Sequence, residues 1–214
     1  MSRSPFVGVV LTGGSSRRMG TDKAFVDVDG TPLAERAFAI LRAAGAQPIV
    51  AVGGDLERLA AVGYEVVDDP YPGQGPLGGL IGGLRHLDPE QLAFAMGCDQ
   101  PAVSPALPAE LVGRLLGEAP TPAAGITQAI VAVVAGVAQP LGAVYRATAR
   151  EWLSTSFAAG ERSLRRALDG LVVGWADDLD PAGFIDLDTP TDVEHFLEHY
   201  RGAADHYAAP DGCS

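Results

Sequence analysis

Cysteine and positive charge are both scarce in this chain of 214 residues. Cysteine occurs twice, at Cys98 inside an apolar run and at Cys213 near the end of the sequence. Two such positions cannot build a disulfide framework, and they fit a reducing cytoplasm. Lys and Arg number 15 against 27 Asp and Glu, a net charge of −12. No global basic field is there to hold a polynucleotide or an anionic membrane, so neither is expected as a partner, and any phosphate ligand must be held locally. Long apolar runs are missing too. Residues 119–145 hold no charge, yet Pro120, Pro122, Gln128, Gln139 and Pro140 interrupt them, and the longest apolar run, 129–138, is about half of what a bilayer crossing needs. That stretch reads as buried strand. Residues 1–5 contain one Arg and pass directly into an apolar segment too short for the core of a signal peptide, so no export signal is expected.

What is present is globular. Hydrophobic residues make up 47% and charged residues 20%, which disfavours both wholesale disorder and a coiled coil. Phe6-Val-Gly-Val-Val-Leu11 is an almost unbroken β-branched run, the pattern of a parallel strand covered on both faces. Thr31-Pro32 then offers an N-cap and a first-turn proline for a helix reaching Gly45. Strands at 48–52, 64–67 and 92–96 alternate with helices at 55–61, from Pro76 and from Pro108, the order of a doubly wound sheet. After residue 124 the alternation loosens: 126–134 and 140–146 read as strands with little between them, so an antiparallel pair or a mixed edge is expected. Helices at 151–157 and 161–168 and strands at 171–175 and 184–188 follow. Thr189-Pro-Thr-Asp192 then opens a helix through Val193, Phe196, Leu197 and Tyr200. The expected architecture is a three-layer α/β/α sandwich on a Rossmann-like, mostly parallel sheet, one domain over 1–202 with a flexible tail at 203–214.

The chemistry points first to the loop after the first strand, Leu11-Thr-Gly-Gly-Ser-Ser-Arg-Arg-Met-Gly-Thr-Asp-Lys23. Gly13 and Gly14 let the backbone pass close to a ligand, and Arg17, Arg18 and Lys23 gather cations at the edge where parallel sheets bind ligands. No Gly-Lys-Ser/Thr follows at P-loop spacing, and G-x-G-x-x-G is lacking. The second strand ends in Gly53-Gly54, where a dinucleotide fold would carry a ribose-binding acid, so NAD chemistry is disfavoured. Cys98 reads as a small buried side chain rather than a nucleophile, since no His lies near it in sequence. His195 and His199 are spaced i,i+4 and could bind a metal, but with no acid–base motif beside them a solvated face is expected.

Leu11-Thr-Gly-Gly-x-x-x-Arg-Met-Gly-x-Asp-Lys23 resembles the signature of the nucleotidyltransferases that finish the molybdenum cofactor, and most of all the molybdenum cofactor guanylyltransferase family. Asp68-Asp69, Gly75-Pro-Leu-Gly-Gly-Leu80, Gly97-Cys-Asp-Gln-Pro101, Gly160-Glu-Arg-Ser-Leu164 and Phe184-Ile-Asp-Leu-Asp-Thr-Pro190 match further segments in the same order, over residues 6–198. The resemblance implies a fold of the nucleotide-diphospho-sugar transferase type. It also implies transfer of GMP from GTP to the phosphate of molybdopterin, with release of pyrophosphate and with Mg²⁺ as cofactor. GTP and molybdopterin or molybdenum cofactor are then the partners, with cofactor-delivery proteins or target molybdoenzymes beyond them.

Carried onto this sequence, the resemblance makes Arg18, Lys23 and Asp99 catalytic. It places Leu11, Thr12, Gly13, Gly14, Lys23, Asp69, Gly75, Pro76, Leu77 and Asp99 around the nucleotide. Asp99, just past a strand end, is the implied metal ligand, a hard oxygen donor of the kind Mg²⁺ prefers. Asp186 and Asp188, two apart on an expected strand and so on one face, are candidates to complete the metal site or to meet a substrate hydroxyl. Asp69 corresponds to the family acid beside the guanosine, with Asp68 as the competing assignment. Gly-Gly after the first strand, where cytidine-using relatives carry Ala-Gly, favours guanine, and the missing Cβ at Gly13 leaves room for a purine. One departure points the other way: guanylyltransferases carry Asn at the positions of Asp186 and Asp188, whereas Asp-x-Asp-Thr-Pro occurs in cytidylyl relatives. A cytidylyltransferase for the same cofactor, a guanylyltransferase for another small phosphate, and a non-catalytic nucleotide-binding partner of a maturation complex stand as alternatives.

Overall fold

The computed structural model describes residues 6–13, 22–117 and 125–200. In chain order the elements are β1 (Val7–Leu11), β2 (Asp27–Val28), β3 (Thr31–Pro32), α1 (Leu33–Ala43), β4 (Ile49–Val52), α2 (Leu56–Ala61), β5 (Glu65–Val67), α3 (Pro76–Arg85), β6 (Leu92–Gly97) and α4 (Ala106–Gly117). They continue with β7 (Ala129–Val134), β8 (Val137–Arg146), α5 (Ala149–Ala158), α6 (Leu164–Ala167), β9 (Val173–Ala176) and α7 (Pro190–Tyr200). Seven strands form one sheet in the order β5-β4-β1-β6-β8-β7-β9. β1 pairs in parallel with β4 and β6, β4 with β5, and β7 with β9, while β8 runs antiparallel to both of its neighbours. The late half is therefore mixed, as expected, and its single reversed strand comes from a tight β7–β8 hairpin whose turn residues Ala135 and Gly136 have φ of 49° and 76°.

Strand periodicity splits the core into two layers. Val7, Val9 and Leu11 face Leu77, Leu80, Ile81 and Leu84 of α3 and Leu153 and Phe157 of α5. Phe6 and Val10 face Phe38 and Leu41 of α1 and Leu111 and Leu115 of α4. A third, smaller cluster of Val28, Leu33, Leu187 and Phe196 fastens α7 to the β2–β3 hairpin. α3 lies close on the sheet because Gly79, Gly82 and Gly83 present no side chains to Leu11, Val52 and Val9. A Cβ on Gly82 would come within 2.8 Å of Pro70 Cδ and 3.0 Å of the Asp68 carbonyl oxygen, so glycine there is a matter of close packing.

Three local expectations are corrected. Thr31 does not cap α1: Asp29 and Gly30 take φ of 56° and 78°, and the resulting hairpin draws Thr31-Pro32 into an antiparallel ladder with Asp27-Val28. Pro32 is then the capping position and makes no side-chain cap bond. Glu161 lies ahead of its expected helix, because its Oε1 accepts from the Ser163 amide at 2.7 Å and Ser163 caps α6. Residues 184–188 form no strand. They cross beyond the end of β6, where no paired strand remains to align with, and the Leu187 amide donates to the Asp99 carbonyl at 2.9 Å. The expected tail at 203–214 lies outside the described residues.

Candidate active site

Two groups of residues meet at the carboxyl ends of the parallel strands. On one side β1 runs into Thr12 and Gly13, which lean on the loop after β4. The Thr12 and Gly13 amides both donate to the Val52 carbonyl, at 3.0 and 3.2 Å. The buried Thr12 hydroxyl donates to the Gly53 carbonyl at 2.7 Å. Gly53 and Gly54 have φ of 74° and 76°, a conformation that costs glycine little and other residues much. A Cβ on Gly13 would lie 3.2 Å from the Gly54 amide nitrogen and 3.4 Å from Gly53 Cα. The missing side chain thus lets two backbone loops touch. This corrects the expectation that it opens room for a base.

Asp69 closes this side. Its Oδ1 accepts from the Tyr71 amide at 2.8 Å and would sit 3.5 Å from a Cβ on Gly78, while its own Cβ would sit 3.5 Å from one on Gly53. It therefore stands between the β4 loop and the start of α3. Asp68 has an exposed side chain and turns its carbonyl toward Gly82, which separates the two competing acids. Gly75, at φ 93°, precedes α3, and Pro76 takes its first position. The side chains of Leu11 and Leu77 are buried in the core, so only their backbone groups are available to a ligand.

On the other side Lys23 is held by charge. It begins a short 3₁₀ turn, Lys23–Phe25, capped by Asp22, whose Oδ1 accepts from the Ala24 amide at 3.0 Å and whose Oδ2 accepts from the Asp55 amide at 3.2 Å. Lys23 Nζ lies 2.6 Å from Asp99 Oδ2 and 2.5 Å from Asp188 Oδ1. Partial burial works to lower the pKa of the ammonium, but the Asp99 and Asp188 carboxylates outweigh it and the net shift is upward. Asp186 stands beside them. Desolvation, and then the charge of Asp99, raise its carboxyl above the ordinary value, against a hydrogen bond from Gln100. Gln100 itself is buried: Oε1 accepts from the Gly97 amide at 3.0 Å and Nε2 donates to the Leu141 carbonyl at 3.2 Å. It pins the turn carrying Asp99 to β8. Asp188 is set by the start of α7, where Asp192 Oδ2 accepts from the amides of Asp188 and Thr189 at 3.0 and 2.7 Å.

The structure therefore brings Lys23, Asp99, Asp186 and Asp188 into one cluster and sets Thr12, Gly13, Asp69 and Gly75 on the glycine-lined side. The Cys98 amide, donating to the Leu11 carbonyl at 3.1 Å, joins the two strand ends. Gly14, Arg17 and Arg18 lie outside the described residues. Burial pushes the Cys98 thiol well up, so it stays protonated. Asp22 and Gln100 were not legible as site residues, although a polar side chain between Asp99 and Pro101 at a strand end is a signal for a positioning role.

Residues 8–174 match the sequence model of the MobA-like NTP transferase domain. A protein of Chloroflexus aggregans named probable molybdenum cofactor guanylyltransferase is 34% identical, over 91% of this chain and 94% of its own length. A molybdenum cofactor guanylyltransferase of Rhodobacter capsulatus is 33% identical, over 91% of this chain and 96% of its own. The solved structure of molybdopterin-guanine dinucleotide biosynthesis protein A from Archaeoglobus fulgidus superposes with a TM-score of 0.74 at 23% identity, covering 92% of this chain and 100% of that one. At that identity the likeness is one of fold.

Proposed function

The chain belongs to the MobA-like NTP transferase family, and from that premise we propose that it is a molybdenum cofactor guanylyltransferase, moving GMP from GTP onto the phosphate of molybdopterin. An oxygen of the acceptor phosphate attacks the α-phosphorus of GTP, the bond from that phosphorus to the bridging oxygen breaks, and pyrophosphate leaves. The observation that carries this reading is the clustering of Lys23 with Asp99 and Asp188 at the carboxyl edge of the sheet. Relatives over 90% of the chain that bear the name support it.

Transfer of this kind asks for positioning and charge neutralisation more than covalent help. Thr12 and Gly13 hold the loop on which the nucleotide rests, with the Thr12 hydroxyl turned inward to lock the backbone. Asp69 retains acceptor capacity for the N1–H and N2 amino donors of guanine or for a ribose hydroxyl. Lys23 neutralises phosphate charge on an otherwise acidic protein. Asp99 and Asp188 turn oxygens to one cationic centre, a hard donor set of the kind Mg²⁺ takes, with Asp186 beside them. When bound there, Mg²⁺ would supply Lewis-acid neutralisation of the phosphates.

Pyrophosphate release with each of the four nucleoside triphosphates, with and without molybdopterin and with and without Mg²⁺, tests the reading. Release with GTP that depends on both additions is the expected result. Equal use of CTP would overturn the base assignment and favour the cytidylyl relatives to which Asp186-x-Asp188 points. Release without molybdopterin would overturn the acceptor.

A further inference from the structure

We propose that His195, Glu198 and His199 form a binding site for a divalent transition cation of the Zn²⁺ or Ni²⁺ type, distinct from the acidic cluster around Lys23. α7 has two unlike faces. Phe196 is buried, and Val193, Leu197 and Tyr200 pack with it against the body of the protein. His195, Glu198 and His199 lie on the solvent side, all three exposed, and each offers a ligand atom within 4.8 Å of the others. Spacing of i, i+3 and i+4 is what stacks them on one face.

The imidazoles are already arranged for a shared cation. Their ring centroids are 4.1 Å apart and tilted by 40°. His199 Nδ1 lies 2.9 Å from the His195 carbonyl oxygen. A carbonyl only accepts, so Nδ1 carries the proton and donates it, and in the neutral ring the lone pair is then on Nε2. That is the tautomer a metal needs, and a ring N–H given to a backbone carbonyl is the usual outer support of a ligating histidine. Two histidines four apart on a helix are an established chelating geometry. The residues sit toward the C-terminal end of α7, where the helix dipole favours a cation, on a protein of net charge −12.

The donor set selects the ion. Two imidazole nitrogens and one carboxylate suit Zn²⁺, Ni²⁺ or Cu²⁺, whereas Mg²⁺ and Ca²⁺ take oxygen-only sites. Water completes the coordination at so open a position. The cation cross-links one turn of the helix whose first turn holds Asp188, so binding stabilises α7 as a unit. This site stands independently of the proposed activity.

The test is titration calorimetry of the full chain, with any affinity tag removed, using ZnCl₂ and separately NiCl₂ in buffer containing saturating MgCl₂. One equivalent is expected to bind. His199→Ala and His195→Ala should each weaken that binding at least tenfold, and Glu198→Gln should weaken it less. Zn²⁺ should raise the thermal midpoint of the wild type but not of the double histidine variant. Circular dichroism and the metal-free midpoint confirm that these surface variants fold. Absence of binding by the wild type, or undiminished binding by the double variant, would overturn the proposal. Binding abolished by Asp99→Asn or competed away by Mg²⁺ would also overturn it, by assigning the ion to the acidic cluster.

Discussion

A lysine shared between two carboxylates sets the behaviour of each residue around it. Asp99→Asn removes one negative charge from the cluster while keeping its shape, and its neighbours Cys98 and Gln100 hold the turn by other bonds. The expected result is a loss of roughly 10²- to 10³-fold in transfer rate, the scale of removing one preorganised electrostatic group, with the fold retained. Single-turnover pyrophosphate release and a thermal melt check it, and a wild-type rate would refute the role of Asp99. Lys23→Ala should weaken GTP binding and slow transfer, measured as separate changes in Kd and rate.

Asp186 carries a pH signature of its own. Its folded pKa lies above the unfolded value of 3.8, so the stability it contributes is fully present below that value and is lost as pH rises through the folded one. Asp186→Asn should therefore raise the thermal midpoint of the nucleotide-free protein at pH 7, in metal-free buffer, and the gain should shrink as the pH approaches 3. A gain that is the same at both pH values would mean the carboxyl is not the cause. Gly13→Ala tests the loop contact instead. Its methyl would press on the Gly53–Gly54 backbone, and overpacking of this kind costs about 1–3 kcal/mol. The clash is present with or without nucleotide, so the midpoint of chemical denaturation should fall by the equivalent of that cost, and affinity for GTP and CTP should change together; a loss confined to GTP would restore the reading of Gly13 as room for a purine.

At the scale of elements, α3 and α4 answer the same substitution with opposite signs. Gly82→Ala in α3 gains about 1 kcal/mol of helix propensity but drives a methyl against the Pro70 ring and the Asp68 carbonyl, neither of which can rotate away. The overpacking cost prevails and the midpoint of chemical denaturation should fall. Gly113→Ala in α4 meets nothing within 4 Å, so the propensity gain stands and the midpoint should rise by the equivalent of up to about 1 kcal/mol.

The elements also show what a sequence can and cannot disclose. β1 and β6 are legible because every residue of each is buried, which leaves a nearly continuous apolar run. The Thr189–Asp192 cap is legible because it is local. Residues 184–188 look like a strand by alternation, yet alternation says nothing of whether a pairing partner exists at the sheet edge reached. Thr31 has the residue type of a helix cap, but the hairpin turn at Asp29-Gly30 competes for it and wins. The clustering of Lys23 with Asp188 has no local trace, since the two are 165 positions apart. The cationic loop marks Lys23 by itself, but only the resemblance to a family puts it and Asp188 at one site.

For the whole molecule, the acid surplus and the paired lysine belong together: on a protein of net charge −12, Lys23 is held at the carboxyl edge of the sheet by two carboxylates. The order in which the parts are made follows from the same centre. A ribosome releases the chain from its N-terminal end, so Lys23 and Asp99 emerge early, and all seven strands of the sheet are complete by Ala176. Asp188 and the helix that positions it come later, and they reach back to the hairpin of Val28 through Leu187 and Phe196. A nascent chain can thus own a finished sheet before Lys23 has met its second carboxylate. The acidic cluster gains Asp188 only after β9 has been made, so the pairing of Lys23 with Asp188 follows the sheet in the order of synthesis.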